Sequence, residues 1–346
     1  MNKSDFFALD MADQIRSVKA ALDILPPILV FGSQTPKERY RKLLQMYHPD
    51  LWRTNPVIYP LAEDLQSAIN AEWEEYNMGT NGAGGTLLGT GDLADVYLEG
   101  RNISKVSRGD DDLLLREATV LRKLNAHPDY ETFSKFYVPR LVNSGYNDDD
   151  RVMNSLTYCD DVSPEQLFSL AQLARGYDFE IPIHAAGWIW RRILAALSLG
   201  HYFGVIHGAV TPDHVLLKPG IAGTQQHRGF LIDWCFSVDE DNGEIVPAMC
   251  AQWEMMYPQE VRAKQTPVPA TDIYMAARTM LWAFPLMPDE MSRYFKRCTI
   301  DSPYGRGWKI VELLSQWDDV MYNQLGWQKT FVPLNFAAVD WSWWDA

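Results

Sequence analysis

Two stretches decide the reading of this chain: Val205-Ile206-His207-Gly208-Ala209-Val210-Thr211-Pro212-Asp213-His214-Val215-Leu216-Leu217 and, further on, Phe230-Leu231-Ile232-Asp233-Trp234-Cys235. The first leaves an apolar pair for a loop with two histidines, a proline and an aspartate, then enters an apolar run that reads as a strand. The second is an apolar strand that ends on a carboxylate. Upstream, Trp188 to Phe203 is apolar on almost every face and reads as a buried helix feeding the loop. Polar groups are thus gathered at the ends of apolar elements, where a scaffold can hold them still.

Working outward, Leu87 to Leu98 alternates in polarity and carries Gly89 and Gly91, which fit a hairpin turn between two strands. A short strand, Ile103-Ser104-Lys105-Val106, follows with one lysine among apolar neighbours. Next comes a helical run in which Glu117 sits among Leu113, Leu114, Val120, Leu121 and Leu124. A strand lysine and a helix glutamate in this order can form an ion pair, either purely structural or aiming the ammonium at phosphates. On the other side lie Tyr257-Pro258-Gln259-Glu260-Val261, Thr271-Asp272-Ile273-Tyr274 and Arg306.

In this order and spacing the segments resemble the protein-kinase superfamily over about residues 86 to 322. The stretch from His207 resembles its catalytic loop, Ile232-Asp233-Trp234 its metal-binding loop, and Tyr257 to Val261 its A-P-E segment. Small-molecule kinases share the first half, but the Glu260 and Asp272 segments favour the protein-kinase branch. The resemblance implies a bilobal fold, possible use of ATP with Mg or Mn, and nucleotide contact through Gly89, Gly91, Lys105, Glu117 and Asp233. It also implies that Asp272 braces the catalytic loop and that Arg306 pairs with Glu260.

The departures bear on chemistry. The catalytic aspartate of the family falls on Ala209, its arginine neighbour on Gly208 and its metal-binding asparagine on His214. A methyl group neither orients an acceptor hydroxyl nor takes its proton. Asp233 and His214 are the candidate metal ligands, although imidazole suits Zn²⁺ or Mn²⁺ better than Mg²⁺. Trp234 and Cys235 replace Phe and Gly, and Ala94 replaces a third glycine. The expectation is a pseudokinase. The rival reading is an atypical kinase or nucleotidyltransferase using Lys105, Asp233 and Asp213 as a substitute carboxylate, and a further one is a nucleotide-free scaffold.

The first 78 residues read differently. Thr35-Pro36-Lys37-Glu38 is a helix start with a capping box, and Tyr40, Leu43, Leu44 and Tyr47 follow at helical spacing. Lys37, Arg39, Arg41 and Lys42 make the remaining surface of that helix basic. His48-Pro49-Asp50 opens the loop to a second amphipathic run through Leu65, Ala68, Ile69, Trp73 and Tyr76, and another helix is expected near Gln14 to Leu25. Helix, HPD, loop and helix resemble a J domain, the co-chaperone module that stimulates Hsp70 ATPase. The resemblance makes Lys37, Arg39, Arg41, Lys42, His48, Pro49 and Asp50 the Hsp70 contact set. The plainer alternative is a structural three-helix appendage.

The 346 residues, 47% hydrophobic and 22% charged, supply ample core material and exclude a disordered or disulfide-stapled chain. A net charge of -14 makes nucleic acid an unfavourable default partner. Cys159, Cys235, Cys250 and Cys298 are widely spaced and read as reduced thiols. No export signal or membrane span is apparent, so a cytoplasmic protein with no membrane partner is expected. The expected fold class is α+β: a helical J-like module over 1–78, a Gly-rich linker over 79–86 and a kinase-like domain. Its small lobe and hinge take 87–160 and its large lobe 161–326, and an aromatic tail over 327–346 folds back on the large lobe or anchors a partner. Its expected partners are an Hsp70-type chaperone and an unidentified protein client.

Overall fold

In the computed structural model the described residues are 9–22, 36–79, 85–91, 93–147, 149–159, 162–218, 227–307 and 309–326. The Thr35 cap, the glycine-rich residues 80–84 and the aromatic tail from Trp327 lie outside them. The described residues divide into two compact units, one of residues up to Gly91 with Asp95–Ser104, the other of Leu93, Ala94 and the described residues from Lys105 to Gly326.

In the first unit, helices α1 (Met11–Leu22), α2 (Pro36–Tyr47) and α3 (Ile58–Gly79) are joined where their apolar stripes meet. Ile15, Val18 and Leu22 of α1, Leu43 and Tyr47 of α2, and Ala62, Leu65 and Ile69 of α3 are buried at helical spacing. Helix α3 packs on both other helices and on the turn Pro49–Trp52. Tyr40 stacks on Trp73 with ring centroids 4.5 Å apart, and its hydroxyl donates to Asn70 Oδ1 at 3.0 Å. Asn55 starts α3 by accepting the Ile58 amide at 3.1 Å. The same helix packs on β1 (Thr86–Thr90), which pairs antiparallel with β2 (Ala94–Glu99). That contact is why the strands from Thr86 group with the helices.

Strand β3 (Asn102–Ser107) delivers Lys105 to the second unit. There β5 (Val152–Thr157) lies between β3 and β4 (Arg140–Tyr146), and α4 (Asp111–Asn125) buries Leu114, Ala118, Leu121 and Leu124. Helix α5 (Leu170–Gly176) opens with a capping box between Ser169 and Gln172. Helix α6 (His184–Tyr202) begins before the expected Trp188 and is buried on most faces. It packs against β7 (Val205–Ile206), β9 (Arg228–Leu231), α8 (Pro269–Ala283) and α10 (Ile310–Leu325). Strands β6 (Phe168–Ser169), β8 (Val215–Lys218) and β9 form a three-stranded sheet, and β7 pairs with β10 (Val238–Asp239).

Two buried polar connections hold the helical part. Trp190 Nε1 donates to the Tyr294 hydroxyl at 3.0 Å, and that hydroxyl donates to the Leu313 carbonyl at 2.9 Å, tying α6 to α9 (Asp289–Cys298) and α10. Arg306 pairs with Glu260 of α7 (Gln259–Arg262), with Nη2 to Oε2 at 3.1 Å, and its guanidinium lies 4.5 Å from the Tyr274 ring. Thr271 donates to the same carboxylate at 3.1 Å. Both ions are almost fully buried, so neither could be removed without stranding the other.

Candidate nucleotide site

The loop after β7 is organised by one buried carboxylate. Asp272, at the start of α8, accepts the backbone amides of His207 at 2.8 Å and Gly208 at 2.9 Å, and His201 Nε2 meets it at 2.9 Å. Gly208 has φ +74°, and a Cβ there would lie 2.8 Å from the Phe236 carbonyl. A side chain at position 208 would therefore be strained in this backbone. Thr279 closes the loop by donating to the Val210 carbonyl at 2.9 Å.

Two histidines in this loop hold opposite protonation states, and their partners say why. His207 Nε2 faces the Ile232 carbonyl at 2.9 Å, so it carries the proton, while Nδ1 accepts the Ala209 amide at 3.2 Å. One nitrogen donates and one accepts, which is the neutral ring. Complete burial keeps it so, pushing the imidazole down to about 4 against the pull of Asp272. His214 Nδ1 faces the Ala209 carbonyl at 2.7 Å, and its Nε2 faces Asp233 Oδ2 at 3.1 Å. Neither oxygen can donate, so both nitrogens do, and the ring is an imidazolium. Burial works against the charge, but the Asp233 carboxylate outweighs it and holds His214 well above the ordinary imidazole value.

Asp233 sits at the end of β9 with φ 62° and ψ 53°, a left-handed conformation uncommon for a residue with a side chain. Its Oδ1 is bonded by Lys105 Nζ and its Oδ2 by His214. Burial would raise this carboxyl, but the two cations hold it well below the usual carboxylate range. Lys105 also donates to Glu117 Oε1 at 2.8 Å, so the ion pair expected from the sequence forms in the second unit. Burial opposes its ammonium too, and Asp233 and Glu117 together raise it well above the normal lysine value. Asn154, fully buried on β5, donates to Glu117 Oε2 at 3.0 Å and to the Leu114 carbonyl at 2.8 Å. Sequence reasoning missed it, although a lone amide on an inward position of a strand was a usable signal.

Ala209 is fully buried and clusters with Leu113, Cys235 and Phe236. Asp213, the candidate substitute carboxylate, is engaged by neighbouring side chains. Asp213 Oδ2 accepts Trp253 Nε1 and Gln252 Nε2, each at 2.7 Å, and Ser169 Oγ reaches Oδ1 at 3.4 Å. That acid fastens the turn Ala251–Met256. Trp234 is accommodated because Gly200 of α6 leaves room; a Cβ there would lie 3.0 Å from the indole ring. Its Nε1 donates to the Leu231 carbonyl at 3.0 Å. Gly89 and Gly91 lie on and just after β1 in the first unit, while Lys105, Glu117 and Asp233 lie in the second.

An imidazolium has no lone pair to give a metal ion, whereas each Asp233 oxygen is bonded by one cation and keeps a second lone pair. Among the described residues no group of three or more His, Cys, Asp and Glu side chains is arranged to hold a metal. A pH test follows from His207. Its folded value lies below the ordinary 6.5, so the unfolded chain binds the extra proton. The stability that its neutral form contributes is present above about pH 6.5 and is lost as pH falls toward about 4. Urea unfolding across that window should show a shallower pH slope in His207→Gln than in wild type; equal slopes would contradict the neutral assignment.

No protein-family model matches this sequence, and no curated protein sequence does. Solved structures do. The kinase domain of PknI from Mycobacterium tuberculosis is similar over 70% of this chain and 98% of its own, at 19% identity and a TM-score of 0.49. A double-mutant form of the same domain matches over the same shares at 18% identity and a TM-score of 0.50. At that identity the likeness concerns the fold alone, and with the elements described above it identifies a protein-kinase-like fold.

Proposed function

We propose that the kinase-like part is a pseudokinase that binds a nucleotide without transferring its phosphate, and that the N-terminal helices are a J-like module recruiting an Hsp70 chaperone. Together they make an adaptor that couples a bound nucleotide or protein client to chaperone engagement. The observation that carries the reading is the methyl group at position 209, buried in an apolar cluster, with Asp213 committed to Trp253 and Gln252. Phosphoryl transfer needs a carboxylate to orient the acceptor hydroxyl. What survives is the cationic part: Lys105, steadied by Glu117 and Asn154, can meet a phosphate.

The J-like reading is supported by the position of His48-Pro49-Asp50 between α2 and α3. The His48 and Asp50 side chains are 42% and 56% exposed, while Pro49 is buried and fixes the turn. Lys37 and Arg41 are exposed and Arg39 and Lys42 half-buried on α2, a surface suited to an acidic partner. Among the described residues no helix is long and apolar enough to cross a membrane.

Two measurements test the proposal. Incubated with labelled ATP, Mg²⁺ or Mn²⁺ and a general acceptor protein, the full chain should incorporate no label; incorporation abolished by Asp233→Ala would make it an enzyme. In a steady-state ATPase assay with a purified Hsp70, the full chain should accelerate hydrolysis and His48→Gln should lose the acceleration. Equal rates for wild type and variant would reduce the helices to a structural appendage.

A further inference from the structure

The connection between α2 and α3 is fixed, and yet it presents apolar side chains to solvent. Its first turn is closed by the Leu51 amide, which donates to the His48 carbonyl at 3.1 Å, and by the Asp50 amide, which donates to His48 Nδ1 at 3.2 Å. The Asn55 amide donates to the Trp52 carbonyl at 2.8 Å, and Asn55 Oδ1 accepts the Val57 amide at 3.0 Å. Leu51 is 60% and Val57 63% exposed, the most exposed large apolar side chains among the described residues of the first unit. Single apolar residues at a surface are ordinary, but two on one hydrogen-bonded connection are already ordered for a contact. Charge marks their surroundings. From Pro36 to Val57 there are five Lys and Arg against Glu38 and Asp50, although the whole chain carries -14. Arg53 is exposed and pairs with Asp50 Oδ1 at 2.8 Å, and Lys37 and Arg41 are exposed on α2.

We propose that Leu51 and Val57 supply the apolar contacts of the surface that engages the chaperone, and that they fit an apolar recess bordered by carboxylates on that partner. The inference rests on the J-like reading above and adds to it which residues beside the His48-Pro49-Asp50 turn select the partner. Apolar side chains set among charges follow the anatomy of a protein interface, in which the apolar part excludes water and the charged rim sets orientation. A basic surface in an otherwise acidic chain draws an acidic partner and steers it more than it holds it. Burial of Leu51 and Val57 supplies the holding part, which salt does not screen. A partner with a cationic or wholly polar face at this place would gain neither.

Titration of the full chain into a purified Hsp70, read as the steady-state ATPase rate, tests this. In Leu51→Ser and in Val57→Ser the concentration giving half-maximal acceleration should rise about tenfold, the scale of one apolar side chain withheld from an interface. Leu51→Met keeps the apolar area and should stay within about threefold of wild type. Both side chains are exposed, so the thermal midpoints of all three variants should match wild type, which separates a lost contact from a lost fold. Added salt should weaken wild type and the serine variants by the same factor, because the charged part is common to them. Serine variants as effective as wild type would overturn the inference and leave the J-like reading standing. No acceleration by the wild-type chain would overturn both.

Discussion

The Asp233 carboxylate, held between the Lys105 ammonium and the His214 imidazolium, is the interaction on which the candidate site depends. Each of the three charges is opposed by its own burial, and each persists because the others are present. The arrangement joins β3, α4, the loop before β8 and the end of β9 at one point. A left-handed backbone at Asp233, which costs of order 1–3 kcal/mol in a residue with a side chain, is sustained by these two ionic contacts.

Three other acids, Asp272 and Glu260 buried and Asp213 half-buried, are likewise engaged in structural bonds. Asp272 binds two loop amides and His201, Glu260 binds Arg306 and Thr271, and Asp213 anchors the turn that carries Trp253. On the proposed reading, the kinase-like scaffold is kept while position 209, a methyl in an apolar cluster, offers no carboxylate to an acceptor hydroxyl.

Much of this was legible in the sequence because it depends on local order. The buried helix before the loop, the strand ending on Asp233 and the lysine and glutamate of β3 and α4 follow from apolar spacing and order, and the pairing of Arg306 with Glu260 was implied by the resemblance. What was not legible depends on convergence of distant segments. Asn154 on Glu117, Trp253 on Asp213 and Cys250 beside His214 meet only in three dimensions. The charge of His214 was hidden for the same reason: as a lone histidine it read as a metal ligand, and only the Ala209 carbonyl on its other nitrogen identifies it as a double donor. Packing of α3 on β1, which groups the first strands with the helices, likewise depends on segments meeting in space.

The protonation of His214 itself tests this account most directly. Imidazole NMR of the chain labelled at histidine nitrogen, assigned with His214→Asn, should find protons on both ring nitrogens of His214 near neutral pH and on only one of His207. A His214 ring with an unprotonated Nε2 would contradict it, because the ion pair with Asp233 Oδ2 would then be absent.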